Sequence, residues 1–90
     1  MSNYRLINEY EAPTPEDLQR LKLELGRNGT QMADIAGLAD GATWRKYTGG
    51  AKPRNLSAAS LFYLAAQLTL TPEQLDSVIH KMRDIGAKIR

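Results

Sequence analysis

The stretch TQMADIAGLADGATWRKYTGG, residues 30–50, decides the fold of this chain. It predicts a short helix over residues 31–36, with Thr30 as its N-terminal cap, and a second helix over residues 40–48. Gly37 lies between them, where the chain needs a left-handed conformation that glycine adopts without Cβ strain. The pattern therefore indicates two short helices joined by a tight turn.

The side chains of these two segments suit helices that cross closely. Asp40 can cap the second segment, and Ala33 is small enough to let the two helices approach each other. Leu38 directly follows the turn and can fill the core. Trp44 and Tyr47 lie on one side of the second helix, which predicts that they anchor it in the core. Stacking on the bases of single-stranded nucleic acid is the alternative use of these rings.

Two longer helices flank this pair. The sequence Thr14-Pro15-Glu16-Asp17 predicts a helix start, because its threonine can cap, its proline suits the first turn and its acids face the positive helix end. This helix runs over residues 15–27, before the stop signal Asn28-Gly29, and its apolar face consists of Leu18, Leu21 and Leu25. Asn55 or Ser57 opens another helix, whose predicted inward residues are Leu61, Leu64, Ala65 and Leu68.

A fifth helix is predicted over residues 72–86. Thr71 and Gln74 form the Thr-x-x-Gln pattern of a capping box, and Gly86 can end the helix. Its apolar stripe, which either completes the core or pairs with a second copy, consists of Leu75, Val78, Ile79, Met82 and Ile85. Residues 1–13 predict a short extended arm, whose role in gripping DNA or a partner stays open. Residues 14–90 predict one compact, all-α, five-helix domain.

Composition disfavours catalysis. The chain has 90 residues, no cysteine and one histidine, His80. These counts exclude disulfides, thiolate zinc sites and a cysteine nucleophile, and they leave little for a metal site or a catalytic relay. We therefore expect no enzyme activity, cofactor, metal or small-molecule ligand. No apolar run approaches a membrane span or a signal peptide, which predicts a cytoplasmic, nucleoid-associated protein.

Charge is unevenly distributed along the chain. The net charge is only +2, but no acidic residue occurs between Gly41 and Pro72. The basic residues of that segment are Arg45, Lys46, Lys52 and Arg54. A basic surface on a nearly neutral protein is typical of a DNA contact, and a solvated loop is the alternative interpretation.

These features resemble the Cro and lambda-repressor-like superfamily of helix-turn-helix proteins, often called the XRE type. The motif covers about residues 30–49, and the flanks PTPEDLQRLKLELGRNG and NLSAASLFYLAAQLTLTPEQL are similar to the family's leading and closing helices. The resemblance implies a DNA-binding transcriptional regulator that acts as a dimer, as in a small prokaryotic or phage repressor. This sequence departs from the family pattern in the segment of residues 40–43, which is one residue longer than the corresponding segment of the family.

The predicted DNA contacts follow from the helical wheel. With Trp44 buried, the opposite side of helix 40–48 presents Ala42, Arg45 and Lys46 to the major groove. Arg45 suits a bidentate contact to guanine, and Ala42 suits a thymine methyl group. The residues expected to contact the DNA backbone are Thr30, Gln31, Lys52 and Arg54.

Three functions are consistent with these observations. The first is a sequence-specific regulator of double-stranded DNA, expected to form a homodimer through helix 72–86. The second is a protein-binding inhibitor or adaptor that reuses the fold without DNA, since fold does not fix function. The third is nonspecific nucleoid binding, which predicts no preference among DNA sequences.

Overall fold

The structure, a computed structural model, describes residues 6–90, and over this range it contains five helices and no strand. The prediction of an all-α fold is confirmed. Residues 6–14 are non-helical, whereas residues 1–5 of the predicted arm lie outside the described residues. The helices are α1 (Pro15–Leu25), α2 (Gly29–Ala36), α3 (Gly41–Thr48), α4 (Ala58–Thr69) and α5 (Pro72–Ile85).

Capping boxes begin α1 and α5, which confirms the predicted cap at Thr14 and the predicted box of Thr71 and Gln74. The Thr14 hydroxyl accepts a hydrogen bond from the Asp17 backbone N–H at 3.0 Å, and the Asp17 carboxylate accepts one from the Thr14 N–H at 2.9 Å. Thr71 and Gln74 repeat this exchange at the start of α5, at 3.1 and 2.8 Å. Each box satisfies two backbone groups that a helix end would otherwise leave unpaired.

The prediction was wrong about where α1 ends and which residue caps α2. Asn28, not Thr30, caps α2, because its side chain lies three residues before Gln31 and the two exchange hydrogen bonds at 2.8 and 2.9 Å. Asn28-Gly29 is therefore a helix start rather than the stop signal of α1. That helix ends at Leu25, since Gly26 takes the left-handed conformation with φ 63°.

The core lies among α1, α2, α3, α4 and the segment before α4. Its buried residues are Leu18, Met32, Ala33, Ile35, Ala36, Trp44, Leu56 and Leu64. Half-buried side chains pack around them, namely Leu21, Leu25, Leu38, Tyr47 and Leu61. The predicted packing roles of Ala33, Leu38 and Trp44 are confirmed.

Ser57 caps α4, and its hydroxyl accepts a hydrogen bond from the Ser60 N–H at 3.1 Å. The prediction that Ala65 and Leu68 point inward is wrong, because both are exposed. Leu64 is the only fully buried residue of α4, so a single narrow stripe of this helix faces α2. The side-chain amide of Gln67 also links α4 to α2, because it donates a hydrogen bond to the Ile35 carbonyl at 2.7 Å.

Helix α5 lies at the periphery and contributes no buried residue. Extensive packing joins α2 to α3, α2 to α4 and α1 to α3, but α5 takes part in none of these pairs. The radius of gyration is 14.8 Å, whereas a domain of this length is expected to have about 12 Å. The first four helices therefore make the core, and the alternative in which the fifth helix completes it is wrong.

Candidate nucleic-acid interface

The turn between α2 and α3 depends on Gly37. This glycine has φ 71° and ends α2, and the next residue, Leu38, donates its N–H to the Ala33 carbonyl at 2.8 Å. A Cβ atom at position 37 would lie 3.1 Å from two ring carbons of Tyr63. The left-handed conformation favours glycine, and a side chain at this position would also have to displace the Tyr63 ring by a few tenths of an ångström. The turn sets the direction in which the chain enters α3.

The first turn of α3 is held by Asp40. Its carboxylate accepts hydrogen bonds from the Thr43 backbone N–H at 2.8 Å and from the Thr43 hydroxyl at 2.9 Å. The backbone hydrogen bond is the main reason why the pKa of Asp40 lies below its usual value. The carboxylate is therefore engaged as a cap, as predicted.

Gly41 is buried where α3 meets the start of α2. A Cβ atom at this position would lie 3.1 Å from the Thr30 hydroxyl oxygen and 3.2 Å from the Thr30 backbone nitrogen. The two helices therefore touch through backbone atoms at this point. The absence of a side chain at residue 41 is a packing requirement of the α2–α3 pair.

The outer face of α3 is the face predicted from the helical wheel. Trp44 is 1% exposed, whereas Ala42, Arg45, Lys46 and Gly49 are exposed. Because its ring is buried, Trp44 cannot stack on a nucleic-acid base, so the stacking alternative is wrong for this residue. Arg45 and Lys46 are free to meet a large partner.

The loop after α3 folds back onto that helix. The backbone N–H of Arg54 donates to the Lys46 carbonyl at 2.7 Å, which closes the glycine-containing segment 49–53 into a turn. Arg54 and Lys52 consequently lie beside Arg45 and Lys46. The sequence predicted these four basic residues as one surface, and the structure brings them together.

These residues line an open concavity of about 630 Å³, the basic cleft. None of its lining residues is acidic, so the lining carries a net positive charge. Such a surface attracts phosphate groups, and its guanidinium groups can bind them bidentately. The lining residues are Gln19, Ala42, Arg45, Lys46, Thr48, Gly49, Gly50, Ala51, Lys52 and Arg54.

Thr30 and Gln31, also predicted to contact DNA, do not line the basic cleft. They are exposed in the first turn of α2, and the side-chain amide oxygen of Gln31 already accepts a hydrogen bond from the Asn28 backbone N–H. Gln19, by contrast, was missed by the sequence reasoning. It follows the buried Leu18 on α1, and only the packing of α1 against α3 brings its amide to the cleft.

Comparisons with protein-family models, curated proteins and solved structures find no match for this chain. Within residues 6–90, no group of three or more histidine, aspartate or glutamate side chains is arranged to hold a metal ion. No helix in the described part of the chain has the length and apolar character needed to cross a membrane. The basic cleft is the candidate site because it combines charge, concavity and an exposed helix.

Proposed function

We propose that this protein is a sequence-specific regulator that binds double-stranded DNA through a lambda-repressor-like helix-turn-helix, formed by α2, the Gly37 turn and α3. The observation that carries the proposal is the basic cleft. Four basic side chains from one helix and its following loop line this surface, and no acidic residue is part of its lining. The exposed side of α3 enters the major groove.

Dimensions support this arrangement. An α-helix such as α3 is about 10–12 Å across with its side chains. The major groove of B-DNA is about 12 Å wide and admits one helix. With Trp44 facing inward, the side chains that reach base edges are those of Ala42, Arg45 and Lys46.

The remaining basic residues position the protein on the duplex. Lys52 and Arg54 lie in the loop beyond α3, where they contact phosphates on one side of the groove. Thr30 and Gln31 are exposed in the first turn of α2, where the positive helix end suits a phosphate on the other side. Phosphate contacts give affinity, and base contacts give sequence preference.

Fluorescence anisotropy tests the proposal. The probes are a duplex from upstream of the protein's own gene and a scrambled duplex, each at two salt concentrations. We expect salt-sensitive binding to the native duplex at least ~10³-fold tighter than to the scrambled one. Equal binding to both duplexes would indicate nonspecific nucleoid binding, and no binding by the folded protein would refute a DNA function.

A matched pair of variants connects this binding to the basic cleft. Arg45→Ala with Lys46→Ala removes two charges from the cleft and should abolish most binding. Lys88→Ala with Arg90→Ala removes the same charge from the exposed C-terminal segment and should leave sequence preference intact. Circular dichroism establishes that both double variants remain folded.

The second candidate function is a protein-binding inhibitor that uses this fold without DNA. The observation in its favour is the scarcity of base-reading groups in the first turn of α3, where Gly41 is buried and Ala42 offers only a methyl group. An inhibitor of this kind keeps its activity when Arg45 and Lys46 are both replaced by alanine, whereas a DNA regulator does not.

A further inference from the structure

An apolar groove lies between α4 and α5, and it shares no lining residue with the basic cleft. Its volume of about 550 Å³ falls within the ~300–1,000 Å³ of pockets that bind small molecules. The α4 wall carries Phe62 and Tyr63, and the α5 wall carries Val78, Ile79 and Met82. Sequence patterns alone predict no small-molecule ligand, because they do not reveal a groove whose walls come from two helices.

The lining of this groove selects an uncharged, apolar ligand. None of its residues is charged, so an ionised group placed there would lose water without gaining a partner. Phe62 is 52% exposed and Val78 48%, so apolar surface on both walls is open to such a ligand. The aromatic rings of Phe62 and Tyr63 suit a planar molecule, and the flexible Met82 on the other wall can adjust to its shape.

Gln67 supplies a polar group to the same lining. Its side-chain nitrogen donates to the Ile35 carbonyl at 2.7 Å and to the Tyr63 carbonyl at 2.9 Å. Because these two bonds use both N–H donors of the amide, the group left to bind a ligand is the amide oxygen, which accepts hydrogen bonds. A ligand that meets Gln67 therefore needs an N–H or O–H group.

Two lining residues also touch the end of α2 and its turn. Gln67 holds the Ile35 carbonyl, one residue before the last residue of α2. The Tyr63 ring lies so close to Gly37 that a Cβ atom at that glycine would be 3.1 Å from two ring carbons. The Tyr63 ring thus separates the groove from the α2–α3 turn, and a ligand that moves this ring disturbs the turn.

We propose that this groove binds a small, uncharged, planar molecule with one hydrogen-bond donor, and that its binding shifts the α2–α3 turn through Tyr63. Helix α5 contributes no buried residue to the core, so this wall can move to admit the ligand. A protein partner fits less well. A concavity of this volume offers on the order of 300 Å² of wall, whereas each partner of a stable protein interface buries ~800 Å².

Fluorescence titration with N-phenylnaphthylamine tests the site. This uncharged probe has one N–H group, and its emission increases in apolar surroundings. We expect saturable binding of one probe per chain. Val78→Asp places a charge without a partner in the groove and should weaken binding by roughly tenfold or more. Ile85→Asp makes the same kind of change on the same helix, outside the lining, and should bind the probe like the wild type. Circular dichroism establishes that both variants are folded.

A charged analogue tests the ligand class. Anilinonaphthalene sulfonate has the same rings and an added negative charge, so it should displace the neutral probe poorly. Equal competition by the two compounds overturns the preference for an uncharged ligand. The absence of saturable binding by the folded wild type overturns the site, as does equal weakening by Val78→Asp and Ile85→Asp, which would indicate adsorption along the exposed stripe of α5.

Nuclear magnetic resonance tests the connection to the turn. At saturation with the neutral probe, the backbone amide signals of Gly37 and Leu38 should shift. The signal of Gly26, a left-handed glycine at the end of α1, should not. Tyr63→Phe keeps the ring and should keep the shift, whereas Tyr63→Leu should bind the probe and lose it.

The alternative outcome is equally clear. An unchanged Gly37 signal in the wild type overturns the connection, as does a Gly37 shift that persists in Tyr63→Leu. The proposal does not rest on DNA binding, and both measurements use the protein alone. Its failure is therefore distinguishable from a failure of the proposed DNA function.

Discussion

The backbone N–H of Arg54 donates a hydrogen bond to the carbonyl of Lys46 at 2.7 Å. This single bond ties the loop after α3 to the helix that precedes it. Two pairs of basic residues that are separated in sequence therefore form one surface, with Arg45 and Lys46 on the helix and Lys52 and Arg54 on the loop.

The helix and loop members of the basic cleft should differ in their effects on DNA binding. Arg45→Ala should cost about 1–3 kcal/mol of binding free energy and relax sequence preference, because the proposed complex gives Arg45 a bidentate base contact. Lys52→Ala should weaken binding similarly for every sequence and reduce the slope of log K against log salt by about 1. Salt titrations on native and scrambled duplexes separate the two effects. Identical behaviour of the two variants would contradict these roles.

Gln19 should add to DNA affinity from α1. We expect Gln19→Ala to weaken binding, by roughly the ~1 kcal/mol of one lost hydrogen bond, because its amide borders the same cleft as Arg45. Leu23→Ala, an uncharged change at an exposed position of the same helix outside the cleft lining, is the control. Anisotropy measurements in which Gln19→Ala binds like wild type would place α1 outside the contact surface.

Gly37→Ala should destabilise the fold for two reasons. Alanine at φ 71° costs about 1–2 kcal/mol, and its Cβ would also crowd the Tyr63 ring. Gly26→Ala is the matched control, since Gly26 has φ 63° but no atom lies within 4 Å of its added Cβ. Urea denaturation should show a larger loss for Gly37→Ala. Equal losses would show that Tyr63 adjusts freely.

Stability should decrease in acid partly because of Asp40. Hydrogen bonds from Thr43 lower the pKa of Asp40 in the folded state below its ordinary value of 3.8. The resulting stabilisation is present above pH 3.8 and is lost as pH falls through the lower, folded-state pKa. Asp40→Asn keeps a capping side chain but removes the titration, so its free energy of unfolding should fall less between neutral and acid pH. Urea denaturation at neutral and acid pH measures the difference, and a loss for Asp40→Asn as large as that of the wild type would contradict this role.

Tyr10 should anchor the N-terminal segment to the domain. Its hydroxyl donates to the Leu56 carbonyl at 2.5 Å, across 46 positions of sequence. Tyr10→Phe removes this bond and should lower the free energy of unfolding by about 1 kcal/mol in urea denaturation. Burial also raises the pKa of Tyr10 above its ordinary value of 10.0, so its contribution holds below pH 10.0 and is lost as pH rises through the folded-state pKa. A wild-type stability for Tyr10→Phe at neutral pH would contradict the anchoring role.

Local signals explain why so much of the fold could be predicted from the sequence. The Thr-Pro starts of α1 and α5, the Gly37 turn and the burial of Trp44 each depend on residues within a few positions of one another. The wrong assignment of Thr30 as the cap of α2 also comes from local signals. Both Asn28 and Thr30 are capable caps, and the capping box with Gln31 decides between them.

Contacts between residues far apart in the sequence could not be predicted from local sequence patterns. Gln19 reaches the basic cleft only through the packing of α1 on α3, and Tyr10 reaches Leu56 only through the path of the N-terminal segment. The exposure of Leu68 likewise follows from how little of α4 the other helices cover. Helical periodicity identifies apolar faces, but it does not say which of them the fold covers.

The buried contact of Gly41 with Thr30 limits which residues of α3 can vary during evolution. Because backbone meets backbone there, even a methyl group at residue 41 would push α2 and α3 apart. Divergent copies of this gene would therefore keep glycine at residue 41 and acquire new partners by varying the exposed positions 42, 45 and 46. The same three positions are the ones to randomise in directed evolution, since their side chains can change without disturbing the interior.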